Sequence, residues 1–187
     1  GHPLQGQSPY AASKIGADKL AESYYLSFGL PVAIIRPFNT YGPRQSARAV
    51  IPTIISQALT QPVIRLGNLS PLRDLNYVSD TIAGFLQVAE SDAAVGEVIN
   101  IGSGQAVSIG ELAQQILELL GMDKPIETEA VRFRPDDSEV MVLVCDNTKA
   151  RQLLGWQPQI SLTEGLQRTI AYIREHLGRY KAGIYNV

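Results

Sequence analysis

The 187-residue chain has little of what several common kinds of site require. It has a single cysteine, Cys145, so there is no internal disulfide framework, and a reducing compartment fits that usage. Two histidines beside one cysteine are too few for a structural zinc centre. No apolar run approaches the ~20 residues of a membrane-spanning helix. The first residues show no leader pattern, and the expected location is the cytoplasm. Charged residues are only 18% of the chain, interleaved in sign, with a net charge of −2. That leaves no basic face for nucleic acid and no acidic tail. Repeats, heptads and low-complexity tracts are absent. So is a glycine-rich strand–turn–helix after an N-terminal strand, the usual fingerprint of a dinucleotide site. What is present is 45% hydrophobic residues, enough to bury a core in one domain or in a large part of a two-lobed one.

Residues 9–28 read as a helix entered by Ser8-Pro9, a capping hydroxyl followed by a proline at the first helical position. Leu20, Ala21, Tyr24, Tyr25 and Phe28 recur at helical spacing and predict its buried stripe. Gly29 and Pro31 end it. The apolar run 32–35 predicts a strand covered on both faces, emptying into a proline- and glycine-rich loop over 36–45. Further helices are expected over 49–59, from Ser79 or Asp80 to 89, from the capping box Ser108–Glu111 to 120, over 148–154, and from Ser161–Glu164 to about 177. In the second of these, Ile82, Phe85, Leu86 and Ala89 form the predicted buried stripe. Strands are expected over 63–66, 73–78, 98–101, 126–129 and 141–145. Helix, covered strand and polar loop in that order are the pattern of a parallel α/β sheet, whose ligands sit beyond the carboxyl ends of the strands. Two covered strands do not make a self-sufficient sheet, so the chain reads as part of a larger unit.

The stretch from Ser8 to Lys14 carries the most pointed chemistry. Tyr10 and Lys14 lie four apart on one helical face, where side chains meet. An ammonium beside a phenol favours the phenolate, the basis of an acid/base pair. The spacing is short and common, and by itself it leaves open a tyrosine packed in a core and a lysine in water.

Five ordered segments decide between these. They are Ser8-Pro9-Tyr10-Ala11-Ala12-Ser13-Lys14; Arg36-Pro37-Phe38-Asn39-Thr40-Tyr41-Gly42-Pro43-Arg44; Arg73-Asp74-Leu75-Asn76-Tyr77-Val78-Ser79-Asp80; Asn100-Ile101-Gly102-Ser103-Gly104; and Leu154-Gly155-Trp156-Gln157-Pro158. Together they resemble the carboxyl-terminal part of an extended short-chain dehydrogenase/reductase, within the NAD-dependent nucleotide-sugar epimerases and 4,6-dehydratases. The wording around Gln5–Ser8 and Gln45–Arg48 is most similar to UDP-N-acetylglucosamine 4,6-dehydratases. The resemblance implies an incomplete Rossmann-type parallel sheet, in residues 1–48 and 80–107, and a small α/β substrate-binding lobe, mainly 49–79 and 108–187.

It also implies roles. Tyr10 exchanges the proton of the sugar 4-hydroxyl during hydride transfer at C4. Lys14 binds the nicotinamide ribose and lowers the Tyr10 pKa. Pro37 and Phe38 lie near the nicotinamide of NAD, and Asn39 near the substrate diphosphate. Arg73 is placed on that diphosphate, against the alternative of a salt bridge to Asp74 or Asp80. Arg134 is placed there too, with Arg132 equally well situated and Asp136 and Asp137 able to neutralise either. Val50 and Ile51 are candidates for the nucleotide pocket wall. The family's third catalytic hydroxyl and the Asp-Glu pair that separates dehydratase from epimerase have no counterpart here, so the reaction after oxidation at C4 stays open between the two. The partners expected are a UDP-sugar or related nucleotide sugar and a second copy of the chain in a homodimer or higher oligomer, with neither nucleic acid nor membrane. The competing reading is a non-catalytic sugar-nucleotide-binding or oligomerisation module built on the same scaffold.

Overall fold

A computed structural model of the chain describes residues 3–133 and 139–180. Helix α1 (Pro9–Phe28) begins as the sequence predicts: the Ser8 hydroxyl accepts from the Ala11 N–H at 3.1 Å, and Gly29 closes the far end in the left-handed region at φ 64°. Strand β1 (Ile34–Pro37) starts two residues later than expected. The stretch predicted as loop contains a short strand, β2 (Asn39–Tyr41). Then follow α2 (Val50–Thr60), β3 (Ile64–Leu66), β4 (Leu72–Tyr77), α3 (Val78–Glu90), β5 (Val98–Ile101) and β6 (Ala106–Ser108), the last a strand the sequence does not announce. The chain closes with α4 (Ile109–Leu120), β7 (Ile126–Thr128), β8 (Val142–Leu143), α5 (Thr148–Leu154) and α6 (Leu162–Glu175).

The strands form three small sheets. β1 pairs with β5 in parallel, Ile35 opposite Ile99. β4 is the centre of the second sheet, with β2 and β8 parallel to it and β6 antiparallel. β3 and β7 make a parallel pair at the far side. The β1–β5 pair has the parallel pairing of a Rossmann-type sheet. Its neighbours are α5 and the buried face of α3, and Ile99, Ile101, Ala150 and Trp156 fill the space between them. The larger core lies elsewhere, where α2, α4 and α6 close over Tyr41, Ile54, Ile55, Leu112, Ile116 and Leu166. Tyr77, whose ring meets Tyr41 edge-on at 5.6 Å, belongs to that core.

Capping explains several boundaries. Ser108 and Glu111 make the full reciprocal box at the start of α4. At α6 only half of that device forms: Ser161 accepts from the Glu164 N–H, while Glu164 itself pairs with Arg168. Asp80 does not cap α3, which starts two residues earlier with no side-chain cap. Its carboxylate instead accepts the N–H groups of Gln159 and Ile160, and its carbonyl accepts the Trp156 indole N–H. One acidic residue thus ties the exit of α5 to the start of α3.

Two predicted stripes are not buried. α1 has no buried residue, and Leu20, Tyr24 and Phe28 stand in the open. The pattern is apolar, but the described strand this helix packs on is β1, and no described strand continues the sheet beyond it. In α3, Ile82, Phe85, Leu86 and Ala89 are exposed, and the helix packs through Asp80, Thr81, Gly84 and Val88. Gly84 makes that choice possible: a Cβ there would sit 3.0 Å from Ile101. Close approach through a small, partly polar face brings α3 against β5 and leaves the greasier face outward.

Candidate functional site

A cleft of about 470 Å³ opens between the β4 sheet and the β3–β7 pair. β2 contributes Asn39 at its start, and the turn that follows the strand contributes Gln45 and Arg48. The first turn of α2 supplies Val50 and Ile51, and Ala49 at its cap offers that turn no side-chain hydrogen bond. Gly67 and Asn68 form the opposite lip, where a Cβ on Gly67 would come within 2.5 Å of the Arg132 carbonyl oxygen. Only glycine allows the two walls to meet so closely.

Among the described residues, three arginines, Arg48, Arg73 and Arg132, line this cleft with one acid, Glu139. Arg73 is the most constrained. Its Nη1 donates to the carbonyls of Leu72 and Val140 at 3.0 and 2.6 Å, and its Nη2 donates to the Glu139 carboxylate at 2.8 Å. The ion pair expected as the alternative for Arg73 therefore exists, but with Glu139 rather than Asp74 or Asp80. Arg132 is held by Glu129 at 2.6 Å. Guanidinium groups fixed in this way present planar donor edges, which suit phosphate oxygens.

Asp74 does something different. It is fully buried, and its carboxylate accepts from the Ser103 N–H and hydroxyl, the Gly104 N–H and the Cys145 N–H, all between 2.6 and 3.0 Å. Its carbonyl accepts from the Asn39 side-chain amide at 3.2 Å. The loop after β5, the segment after β8 and the cleft residue Asn39 are thereby tied to one strand position. Next to it, burial and then the Asp74 charge push the Cys145 thiol up to about 12. Burial raises the Tyr41 phenol too, with Tyr77 and Asp80 adding to the effect.

Tyr10 and Lys14 sit together on the exposed side of α1. Tyr10 is 71% exposed, and the Lys14 ammonium lies 5.6 Å from its ring centroid. No carboxylate pairs with Lys14 among the described residues, and Asp18, one turn further on, is engaged by Arg36 at 2.7 Å. Both side chains are open to a ligand.

The structure thus brings Asn39, Arg73, Val50 and Ile51 into one cleft, with Arg132 beside them. Tyr10, Lys14, Pro37 and Phe38 do not line it. Phe38 is held at the end of the β1–β5 pair, its N–H donating to the Ile101 carbonyl. Arg134 lies outside the described residues. Sequence reasoning missed Glu139 and Asp74. Asp74 carried a signal, standing inside one of the ordered motifs, whereas nothing local marked Glu139. Among the described residues no helix is long and apolar enough to cross a membrane.

Comparison with known proteins agrees with this fold. The low-salt glycan biosynthesis protein Agl12 of Haloferax volcanii is 38% identical over 173 residues, which cover 91% of this chain and 54% of that protein. The structure of dTDP-glucose 4,6-dehydratase from Bacillus anthracis, in complex with NAD, superposes with a TM-score of 0.86 at 31% identity, covering 94% of this chain and 55% of the other. The UDP-glucuronic acid 4-epimerase of Bacillus cereus, in complex with UDP-glucuronic acid and NAD, gives a TM-score of 0.83 at 30% identity, over 94% and 54% of the two chains. The chain spans about half the length of the curated relatives it matches. The family model described as GDP-mannose 4,6 dehydratase matches residues 1–169, and the chain belongs to that family of extended short-chain dehydrogenases/reductases.

Proposed function

We propose that this chain carries the nucleotide-sugar site and the proton-transfer pair of an NAD-dependent nucleotide-sugar 4,6-dehydratase or 4-epimerase. The observation that carries the reading is the convergence of Asn39 and Arg73 on one arginine-lined cleft, in a chain that matches the family over most of its length. Arg73 and Asn39 bind the substrate diphosphate, Arg134 acts with them, and Val50 and Ile51 shape the wall beside the base. Residues 49–79 and 108–187 mainly form this substrate side, and residues 1–48 and 80–107 the dinucleotide side. A UDP-N-acetylhexosamine is the substrate class that the motif wording favours, and the cytoplasm is the compartment that the lone cysteine fits.

Tyr10 takes the proton from the sugar 4-hydroxyl as C4 is oxidised and returns it when C4 is reduced. Lys14, unpaired with any described carboxylate and lying 5.6 Å from the Tyr10 ring centroid, holds the nicotinamide ribose hydroxyls. Pro37 and Phe38 flank the nicotinamide. NAD, when bound, supplies the hydride acceptor at C4. The exposed Tyr10 and Lys14 fit the ribose end of that cofactor.

The apolar faces of α1 and α3 are covered, in the same reading, by a second chain in a homodimer or higher oligomer. Light scattering that finds a stable monomer at micromolar concentration overturns this part.

Calorimetric titration with UDP-sugars and NAD tests the whole reading. Nucleotide-sugar binding that Arg73→Ala weakens is expected, and absence of any nucleotide-sugar binding overturns it in favour of a non-catalytic oligomerisation module. In a preparation that turns substrate over, Tyr10→Phe removes hydride transfer while binding persists, and retained turnover sinks the proton-transfer role.

A further inference from the structure

Glu139 is a carboxylate lining a cleft proposed to take a diphosphate, where electrostatics alone argues against one. Its side chain is 14% exposed and that of Arg73 15%, so the pair is largely withdrawn from water while remaining part of the cleft wall. The three acceptors on Arg73 divide its donors unevenly. Both Nη1 N–H groups go to the Leu72 and Val140 carbonyls and one Nη2 N–H goes to Glu139. Of the five N–H donors of a guanidinium, Nε–H and the second Nη2 N–H have no acceptor among the described residues.

The position of Glu139 is set by the sheet that carries Arg73. Val140 and Met141 lead into β8, whose residues pair in parallel with β4, Val142 opposite Leu72 and Leu143 opposite Arg73. The Leu72 N–H donates to the Met141 carbonyl at 2.8 Å. Backbone pairing thus holds the carboxylate at a fixed height beside the guanidinium.

We propose that Glu139 is a positioning residue that orders Arg73 before ligand arrives, leaving two N–H groups available to phosphate oxygens. Arginine has much rotamer freedom to lose, and fixing it in advance removes that cost from binding. The nearby negative charge lowers the attraction for phosphate, and the ordered fork outweighs it. The proposal rests on the reading of Arg73 as a diphosphate ligand.

The test is titration of the 187-residue chain with UDP and, separately, with uridine, which lacks the phosphates. Glu139→Ala is expected to weaken UDP about tenfold, the scale of one charge-assisted hydrogen bond, and to leave uridine unchanged. Glu139→Gln, which keeps an acceptor oxygen and loses the charge, keeps wild-type UDP affinity or improves it. Glu139→Asp, with its carboxylate drawn back by one methylene, loses part of the affinity and carries the test if Glu139→Ala does not fold. UDP binding by Glu139→Ala as tight as wild type, or tighter, overturns the proposal and makes Glu139 a bystander or a plug. Equal weakening of UDP and uridine also overturns it, since general damage to the cleft then explains both. If the unaltered chain binds neither UDP nor uridine, the reading of the cleft fails first and this proposal falls with it.

Discussion

Around α2, α4 and α6 the apolar side chains turn inward, and Ile54, Ile55, Leu112, Ile116 and Leu166 are fully covered. Along α1 nothing is buried: Leu26 is 73% exposed and Phe28 76%. Both regions are helical, both are apolar enough to pack, and each contains a residue proposed to touch ligand. They differ in what surrounds them. Each of the three helices of the larger core meets two others and a sheet, so an apolar stripe has somewhere to go. α1 packs on β1, with no described strand beyond it. Periodicity says that a helix has a face, and only neighbouring elements say whether that face is dry.

The largest effect that separates the two regions is truncation of a core leucine. Leu166→Ala should lower stability by about 2–5 kcal/mol, because the site is closed on every side and cannot collapse. Leu26→Ala on α1 should stay within about 0.5 kcal/mol in dilute solution. Urea denaturation of both variants reads this directly. A loss near 2 kcal/mol for Leu26→Ala at high protein concentration, absent at low, would mean that association covers the α1 face, and so would sharpen the contrast.

Next in size is the link between the regions. Asp74 stands on β4 beside the larger core, yet three of the four contacts its carboxylate accepts come from Ser103 and Gly104, in the loop leaving the β1–β5 pair. Asp74→Asn replaces one acceptor oxygen with a donor and sets it against N–H groups that are already donors. The expected cost is ~2 kcal/mol, the scale of a buried group left unpaired. The Asn39 amide, anchored to the Asp74 carbonyl, should show faster hydrogen exchange in this variant. An unchanged melting temperature would show that the loop is held by something other than the carboxylate.

How much of this could be seen in the residues alone follows the same divide. Segments whose determinants are local were legible: the Ser8 and Ser108 caps, the left-handed ends at Gly29, Gly121 and Gly155, and the helices they bound. The strands β2 and β6 escaped because three residues are too few for a period, and pairing with β4 alone defines them. The α3 stripe failed because Gly84, a residue with no side chain to count, selects the packed face. In the candidate site, Asn39 and Arg73, which both line the cleft, were singled out through ordered motifs. Glu139, 66 residues from Arg73, becomes visible only when β8 docks beside β4.

The smallest effect concerns Cys145, which lies where the two regions meet. Its thiol is pushed from an ordinary 9.0 up to about 12 by burial, with the Asp74 charge as the second cause. A folded pKa above the unfolded one means that the folded protein holds the proton more tightly. The associated stability is complete below pH 9 and is lost as pH climbs from about 9 towards 12. By pH 10 the loss is about 1 kcal/mol, given that each pKa unit is worth about 1.4 kcal/mol. Comparison of the unaltered chain with Cys145→Ser between pH 7 and 10 isolates this part, because other titrating groups contribute equally to both. Asp74→Asn removes the neighbouring charge and should reduce the pH-linked loss, while burial keeps some of it. If instead the two proteins lose stability in parallel over that range, the thiol is not desolvated, and the junction around Asp74 is open to water as the α1 face is.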